Sequence, residues 1–170
     1  GLSISVNTLN RPTYASSGTE GTFSVDGFKL KEKYTPGSTA ERIGYYEKYY
    51  DWFRAKLKIN HYSKISSKYS LGYSLEGQIS NPIKMANYAS TVINVPTFYP
   101  LQDSKTLFNE GLRAFGYAAL GVQNVYTIHT RLDVRLEGYA FLPFNKVSSN
   151  AFQEPILNKF NAQDIAFASS

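Results

Sequence analysis

The sequence predicts an all-β protein: an antiparallel up-and-down β-barrel fragment of about seven long strands, in one domain spanning residues 1–170. Three observations carry this prediction. Apolar and polar side chains alternate with a period of two, which is the period of a strand. The predicted strands run for about 11 to 15 residues, whereas globular strands average about 5 to 6 and transmembrane barrel strands need about 9 to 11. Short and long connections also alternate, as in transmembrane barrels.

The first two strands are predicted to form a hairpin. The first covers residues 2–7, and the second ends near Tyr34 after a turn rich in Asn, Pro, Ser and Gly. The apolar phase of the second strand slips by one residue between Val25 and Phe28. Asp26-Gly27 lies at the slip and predicts a bulge, in which glycine relieves the backbone.

The third and fourth strands each have one apolar and one polar face. A polar loop over 35–44 precedes the third strand, and a short turn over 64–68 follows it. The fourth strand, YSLGYSLEGQIS at 69–80, alternates without an error. The charged residues on the polar faces of these two strands are Arg54, Lys56, Lys58 and Glu76.

A long irregular segment over 81–110 separates the fourth strand from the fifth. Its TVINVP core predicts at most a local edge strand, limited by proline. A connection of this length inside a compact domain is usually functional. Strands over 115–128 and 132–142 follow, joined by a tight turn at His129 to Arg131. The stretch PFNKVSSNAFQEP predicts a second polar loop, and the last predicted strand covers 159–170.

The direction of the apolar face distinguishes two classes of protein. The chain has 14 Tyr and 11 Phe but only 18% charged residues, a composition that suits the aromatic girdles of membrane barrels. We therefore expect the aliphatic rows to face lipid. The charged residues expected to face a lumen are Arg54, Lys56, Lys58, Glu76 and Arg135. The alternative is a soluble β-barrel or sandwich that binds a lipid or another apolar ligand, with its aliphatic rows directed inward. A third, weaker alternative is an adhesion module that uses the long loops.

Catalytic, metal and nucleic-acid functions lack the residues that they need. The chain has no cysteine and 2 histidines, so we expect neither a metal nor another cofactor. The string around Ser74 has the wrong spacing for a G-x-S-x-G nucleophile elbow. His61 and His129 are predicted turn residues without a convincing serine partner. The basic row of the third strand is not interleaved with aromatic residues, which argues against nucleic-acid binding. We predict that this chain is not an enzyme.

Several short motifs resemble known outer-membrane proteins. NTLNRPTYASSGT resembles a hairpin of outer-membrane assembly and translocation barrels, and YTPG, YEKYYDWFRAKLK, YSLGYSLEG, SKTLFNEGLRAFGY and LDVRLEGYAF resemble the barrel of Bacteroidetes-type patatin-like phospholipases. The resemblance implies about half of a C-terminal sixteen-stranded barrel of the outer-membrane insertase (bacterial surface antigen) superfamily. It also implies a bacterial outer-membrane location and a role in anchoring or translocating a lipid hydrolase. The implied partners are outer-membrane lipid and the remaining strands, from the parent chain or another chain.

The same resemblance implies a latch between a loop and the lumen wall. The family carries an Arg-Gly-Phe/Tyr tip that meets an inner acidic residue. The matching positions are Arg113, Ala114 and Phe115, with Glu137 as the acidic partner. Parity supports half of this expectation, because Glu137 lies on the charged face of its strand and a dehydrated carboxylate favours a guanidinium partner. In the alternative, Arg113 is solvated and Glu137 pairs with its own strand neighbours.

Overall fold

The computed structural model describes residues 1–12, 14–35, 37, 44–101, 103–129 and 132–169. Within them the chain forms a seven-stranded antiparallel sheet, which confirms the predicted all-β, up-and-down arrangement. The sheet is not closed into a barrel, and its edge strands are β1 and β9. In order across the sheet, the strands are β1 (Leu2–Asn7), β2 (Gly18–Tyr34), β3 (Tyr46–Lys64), β4 (Tyr69–Ser80), β5 (Gly116–His129), β6 (Leu132–Pro143) and β9 (Ala166–Ser169).

A second, smaller sheet and one short helix lie in the connections. β7 (Asn145–Ser149) pairs with β8 (Pro155–Lys159) as a separate hairpin. The helix α1 (Tyr88–Asn94) lies in the connection between β4 and β5. Short 3-10 helices cover Asp103–Thr106, Glu110–Leu112 and Ala162–Asp164. Within the described residues, every helix is too short to cross a membrane.

The β2–β3 hairpin extends beyond its neighbours in the sheet. β2 has 17 residues and β3 has 19, while β4 has 12. Pairing with β1 ends at Val25, and pairing of β3 with β4 ends at Arg54. Asn81 continues the pairing of β3 by one residue, since Phe53 O accepts from Asn81 N at 3.3 Å. Beyond Phe53, β2 and β3 pair as strands only with each other. We call the seven-stranded part up to these positions the wall.

Residues 81–101 and 103–115 turn back over one face of the wall, and we call them the inserted segment. Phe98 lies 5.8 Å from Phe141 with the rings nearly parallel, and it also contacts Tyr117 and Tyr139. The wall face that the segment covers is called the inner face, and the opposite face is called the outer face. The wall cluster comprises Phe98, Leu112, Ala114, Tyr117, Ala119, Tyr139 and Phe141.

A second core lies where the projecting hairpin, the inserted segment and the β7–β8 hairpin meet, and we call this region the cap. Burial raises the pKa of Tyr88, and its hydrogen bond to Glu110 Oε2, 2.9 Å long, raises the pKa further. This bond ties the start of α1 to the end of the inserted segment. The cap cluster comprises buried Ile83, Val95, Phe115 and Val147, with Leu30, Tyr50, Trp52, Met85, Tyr88 and Leu157 packed against them.

The structure corrects the prediction of a bulge at Asp26-Gly27. β2 and β3 pair there without a break, with Asp26 opposite Arg54 and Gly27 opposite Phe53. The apolar phase changes because Phe23 and Val25 lie on the outer face of the wall, whereas Leu30 faces the cap cluster. The slip therefore marks the point at which the apolar side chains move from the exposed face of the hairpin to the covered face.

Three predictions in the connections also require correction. The TVINVP core is not a strand, because Asn87 caps α1 by accepting a hydrogen bond from Ser90 N at 2.7 Å. The predicted loop PFNKVSSNAFQEP contains β7, whose Val147 is buried in the cap cluster. The last predicted strand is interrupted by the 3-10 helix Ala162–Asp164, so that β9 has 4 residues. Most of the predicted loop 35–44, and positions 130 and 131 of the predicted tight turn, lie outside the described residues.

Candidate functional site

The outer face of the wall is apolar and exposed. Leu75 lies opposite Leu120, and these side chains are 40% and 53% exposed. Neighbouring strands continue the row, since Leu57 is opposite Phe23. The exposed apolar residues of this face are Leu2, Ile4, Val6, Phe23, Phe53, Leu57, Tyr73, Leu75, Ile79, Leu120, Val122, Tyr126, Ile128, Leu132, Val134, Leu136 and Phe167.

Aromatic residues flank this apolar band. Tyr73 and Tyr126 lie towards the short-turn end of the wall, and the Tyr126 ring packs 4.8 Å from the ring of Tyr69. Phe53 lies towards the cap. On the outer face, β5 extends from Ala118 to Ile128, about 33 Å along a strand, and Asn124 and Tyr126 interrupt its aliphatic residues.

The inner face of the wall is polar and largely covered. Ser70, Glu76, Gln78 and Gln123 are buried there, while Leu75, Ile79 and Val122, which are next to the last three in sequence, are exposed. Polar residues are thus buried beside the largely aromatic wall cluster while an apolar row is exposed, unlike a soluble sheet, in which the apolar face is the buried one. All the residues predicted to face a lumen lie on this inner face: Arg54, Lys56, Lys58, Glu76 and Arg135.

Ion pairs across neighbouring strands neutralise much of the inner face. Arg54 pairs with Asp26 of β2 at 2.9 Å, and Lys56 pairs with Glu76 of β4 at 2.8 Å. Glu76 Oε1 also accepts a hydrogen bond of 2.6 Å from the buried hydroxyl of Tyr117. Because half-buried charges are costly unless paired, these contacts explain how a charged row tolerates partial burial.

The predicted latch between Arg113 and Glu137 is not formed between these two described residues. The Arg113 guanidinium donates instead to three carbonyl oxygens at the end of α1, those of Val92 and Ile93 at 3.1 Å and of Val95 at 3.2 Å. Its guanidinium carbon also lies 4.3 Å from the centre of the Phe108 ring. A cation is favourable at a helix C-terminus, where carbonyls lack intrahelical partners. The Arg113 side chain therefore connects the end of the inserted segment to the end of α1 within the same segment.

Glu137 pairs with its own strand neighbours, as the alternative expected. Its Oε1 lies 3.2 Å from the Arg135 guanidinium, and its Oε2 accepts a hydrogen bond of 2.8 Å from the Tyr139 hydroxyl. Arg135 also donates to the Ala15 carbonyl and stacks near the ring of Tyr14. Arg135 thus connects the β1–β2 turn to the inner face, and Glu137 pairs with Arg135.

Phe115 is part of the cap cluster and does not reach into the inner face. It is 1% exposed, and its backbone pairs with Ser80 and Asn145. The preceding Arg113 has extended backbone angles, φ −118° and ψ 128°. Ala114 N bonds to Pro96 O at 3.2 Å. This extended pairing directs Arg113 towards α1 and requires no glycine at position 114, which explains why alanine is tolerated there.

The histidine and serine candidates for catalysis lie on opposite faces. His61 contacts Thr19 Oγ1 at 2.8 Å and Ser63 Oγ at 2.9 Å, and its strand partner is Tyr73. Ser74 follows Tyr73 and therefore lies on the other side of the sheet. The serine that His61 contacts is therefore Ser63 and not Ser74, which corrects the expectation that His61 has no convincing serine partner.

Sequence reasoning missed the tyrosines and amides that organise the inner face. A Cβ on Gly121 would lie 2.5 Å from the Tyr139 ring, and one on Gly72 would lie 2.6 Å from the Tyr62 ring. Each tyrosine therefore lies flat over a glycine of the next strand. This places the Tyr139 hydroxyl 2.7 Å from Gln123 Nε2. The available signal was the position of Gln123, Tyr139 and both glycines on the polar parity of their strands.

Comparison of the chain with known protein families, curated proteins and solved structures finds no match.

Proposed function

We propose that this chain forms part of the wall of a bacterial outer-membrane β-barrel that anchors a patatin-like lipid hydrolase or assists its translocation. The observation that carries the membrane part is the exposed aliphatic outer face opposite a covered, charged inner face. The hydrolase part rests on the motif resemblance described above.

The free energy of apolar transfer favours a bilayer as the cover of the outer face. Burying one Leu, Ile, Val or Phe side chain fully is worth about 1.5 to 3 kcal/mol. The wall exposes such side chains on every strand, including Leu57 on β3, Leu120 on β5 and Leu136 on β6. Within the described residues, the cap and the inserted segment cover only the other face. A lipid phase would remove the exposed rows from water.

The open edges of the sheet support the other partner that the resemblance implies, which is a set of further barrel strands. β1 and β9 each pair on one side only in the described structure. In a bilayer, unpaired backbone groups cost several kcal/mol each, so further strands must complete the sheet. We propose that they come from the parent chain or from another chain.

The soluble alternative requires aliphatic rows that face inward. In the structure those rows are exposed, and the residues buried on the inner face of the wall are largely aromatic or polar. This observation favours the membrane proposal over the soluble one.

The sequence contains 1 Trp, which makes the orientation directly testable by fluorescence. Trp52 packs against the cap cluster, and Phe53 points outward. In vesicles that contain brominated lipids, we expect weak quenching in the unmodified chain. We expect strong quenching in the swap W52F/F53W, and in W52F/L120W at mid-band. A chain whose outward Trp residues are not quenched would contradict membrane embedding.

The association with a hydrolase has a separate test. The parent polypeptide should carry a G-x-S-x-G nucleophile elbow N-terminal to the barrel, with lipid-hydrolase activity that sediments with outer membranes. A membrane-embedded parent without this elbow would remove the hydrolase part and leave the barrel proposal intact.

A further inference from the structure

Three side chains on the outer face, at the short-turn end of the wall, form a hydrogen-bonded row. The Ser63 hydroxyl oxygen lies 2.9 Å from His61 Nε2, and the Thr19 hydroxyl oxygen lies 2.8 Å from His61 Nδ1. In an activated nucleophile, a base lies within hydrogen-bond reach of a hydroxyl and is oriented by a third group. The row contains all three parts: a hydroxyl, an imidazole and a group that contacts the other ring nitrogen.

Strand geometry sets this arrangement. His61 and Ser63 are two residues apart on β3, so their side chains lie on the same face. Thr19 of β2 is the direct partner of His61 across the two strands. The Thr19 backbone is fixed in turn by Thr8, whose amide donates to the Thr19 carbonyl oxygen at 2.8 Å and whose hydroxyl accepts from Thr19 N at 3.0 Å. The imidazole is thus held at both ring nitrogens.

The site is open to a substrate on the outer face of the wall. His61 is exposed and Ser63 is half-buried. The partner of His61 on β4 is Tyr73, which belongs to the aromatic flank of the apolar band, and the partner of Ser63 is Leu71. Aromatic flanks mark the boundary between water and lipid. With the wall in a bilayer, Ser63 would lie near that boundary, where lipids carry their ester bonds.

We propose that Ser63 is acylated by amphiphilic esters, with His61 as its general base and Thr19 as a positioning residue. His61 carries its proton on Nδ1, from which it donates to Thr19 Oγ1, and its Nε2 accepts from the Ser63 hydroxyl. The expectation that the chain is not an enzyme assumed that His61 has no serine partner. The nucleophile rests on the Ser63 and His61 contacts alone, whereas the amphiphilic nature of the ester rests on the proposed function.

The reaction consists of two acyl transfers. Ser63 Oγ attacks the carbonyl carbon of the ester while His61 Nε2 takes the hydroxyl proton, and the alcohol leaves with that proton. Water then attacks the acyl group on Ser63 and gives a proton to Nε2. Nε2 returns this proton to Ser63 Oγ as the carboxylic acid leaves. General-base catalysis alone contributes about 10² to 10⁴-fold, so we expect slow turnover and a more readily measured labelling of the serine.

Fluorophosphonate labelling of the purified chain in detergent micelles tests the nucleophile. The probe phosphonylates an activated serine with loss of fluoride, and peptide mass spectrometry locates the modified residue. We expect label on Ser63, at a rate that H61Q lowers at least about 100-fold. The matched control S74A removes a serine from the inner face of the wall and should label as the unmodified chain does. Absence of label on Ser63, or an unchanged rate in a folded H61Q variant, would overturn the proposal.

Thr19 variants separate positioning from packing. T19V removes the hydroxyl at nearly constant volume and should slow the labelling of Ser63, though less than H61Q does. T19S restores a hydroxyl and should restore the rate, which a purely structural role of the threonine would not predict. Circular dichroism identifies variants that lose the fold. A folded T19V variant that labels at the unmodified rate would overturn the positioning role.

The ester class has its own measurement. At equal concentration in micelles, p-nitrophenyl decanoate should acylate the chain faster than p-nitrophenyl butyrate, and a faster butyrate reaction would overturn the choice of an amphiphilic ester. The fluorophosphonate probe needs no bilayer, so its result is independent of the Trp quenching in vesicles. Label on Ser63 without quenching of the outward Trp residues would contradict the membrane proposal and support the nucleophile.

Discussion

The wall and the cap share two strands and cover the same face of them, but the apolar side chains lie on opposite faces in the two regions. β2 and β3 run through both regions. In the wall, their apolar side chains, such as Phe23 and Leu57, point outward and remain exposed. In the cap, the apolar side chains Leu30 and Trp52 point inward and pack against protein. The face that carries the apolar side chains therefore depends on the surroundings of each region, while the alternation along the two strands is unbroken.

Matched Phe→Ala substitutions test this difference with the largest expected effect. Phe115 is 1% exposed in the cap cluster, whereas Phe53 is 48% exposed on the outer face. We expect F115A to lower the free energy of unfolding by about 3 to 5 kcal/mol, because it leaves a cavity in a packed core. F53A should cost at most about 1.5 kcal/mol, since the surroundings can fill the space. Urea unfolding of both variants in the same micelles measures the difference, and equal losses would contradict the comparison.

A lysine substitution on the outward side of each region gives the next largest difference. Leu120 lies in the middle of the apolar band, and Tyr49 lies on the projecting hairpin, 71% exposed. In vesicles, L120K should cost about 2 to 4 kcal/mol, the penalty for a lipid-facing lysine near the midplane of a barrel. Y49K should change the unfolding free energy by less than about 0.5 kcal/mol, as surface substitutions usually do.

A similar small cost for both lysines would show that the outer face of the wall is in contact with water. The same comparison in a detergent-free buffer provides the control, since the penalty at position 120 requires a lipid phase.

The hydrogen-bond partners of Arg113 lie in the cap and not on the wall. R113M keeps most of the side-chain length and removes three hydrogen bonds to the carbonyls of α1. We expect a loss of about 1.5 to 3 kcal/mol, the range for hydrogen bonds to a charged group. Urea unfolding measures it, together with faster amide exchange in α1.

A double-mutant cycle separates this contact from the latch that the sequence predicted. The coupling between R113M and E137Q should be below about 0.5 kcal/mol, as for residues that share no partner. The coupling between R135M and E137Q should exceed that value, since Arg135 contacts Glu137 at 3.2 Å. A larger coupling for the first pair than for the second would restore the latch.

The wall was predictable because apolar and polar residues alternate along each of its strands, and this pattern is local in the sequence. The stretch 69–80 alternates without an error, and β4 has those bounds. The parity of Arg54, Lys56, Lys58, Glu76 and Arg135 was predictable for the same reason, since a period of two assigns every residue of a strand to a face.

The cap was not predictable, because it depends on contacts between distant parts of the chain. The phase slip at Asp26-Gly27 suggested a bulge, and only the packing of Leu30 against the inserted segment explains it. The partners of Arg113 could not be inferred before α1 was known, since they are backbone carbonyls of a helix in a stretch rich in β-branched residues. Side chains of this kind favour strands when considered alone.

The smallest predicted effect concerns α1, which is helical although its β-branched residues favour strands. Thr91, Val92 and Ile93 are β-branched, and a helix of 7 residues has little intrinsic stability. Asn87 compensates at the N-terminus, where its side chain accepts from Ser90 N at 2.7 Å. We expect N87A to cost about 1 kcal/mol and N87D to cost less, since aspartate also caps well. Urea unfolding and amide exchange at Val92 measure the effect.

The matched control is Asn161, which caps the 3-10 helix Ala162–Asp164 by accepting from Gln163 N at 3.1 Å. That helix has no buried residue, whereas Thr91 and Val92 of α1 are buried. N161A should therefore leave the global unfolding free energy nearly unchanged, because local fraying at an exposed site does not expose a core. If N87A also leaves the unfolding free energy unchanged, the Asn87 cap does not stabilise α1. The helix is then held by its tertiary contacts, among them the Arg113 hydrogen bonds at its other end.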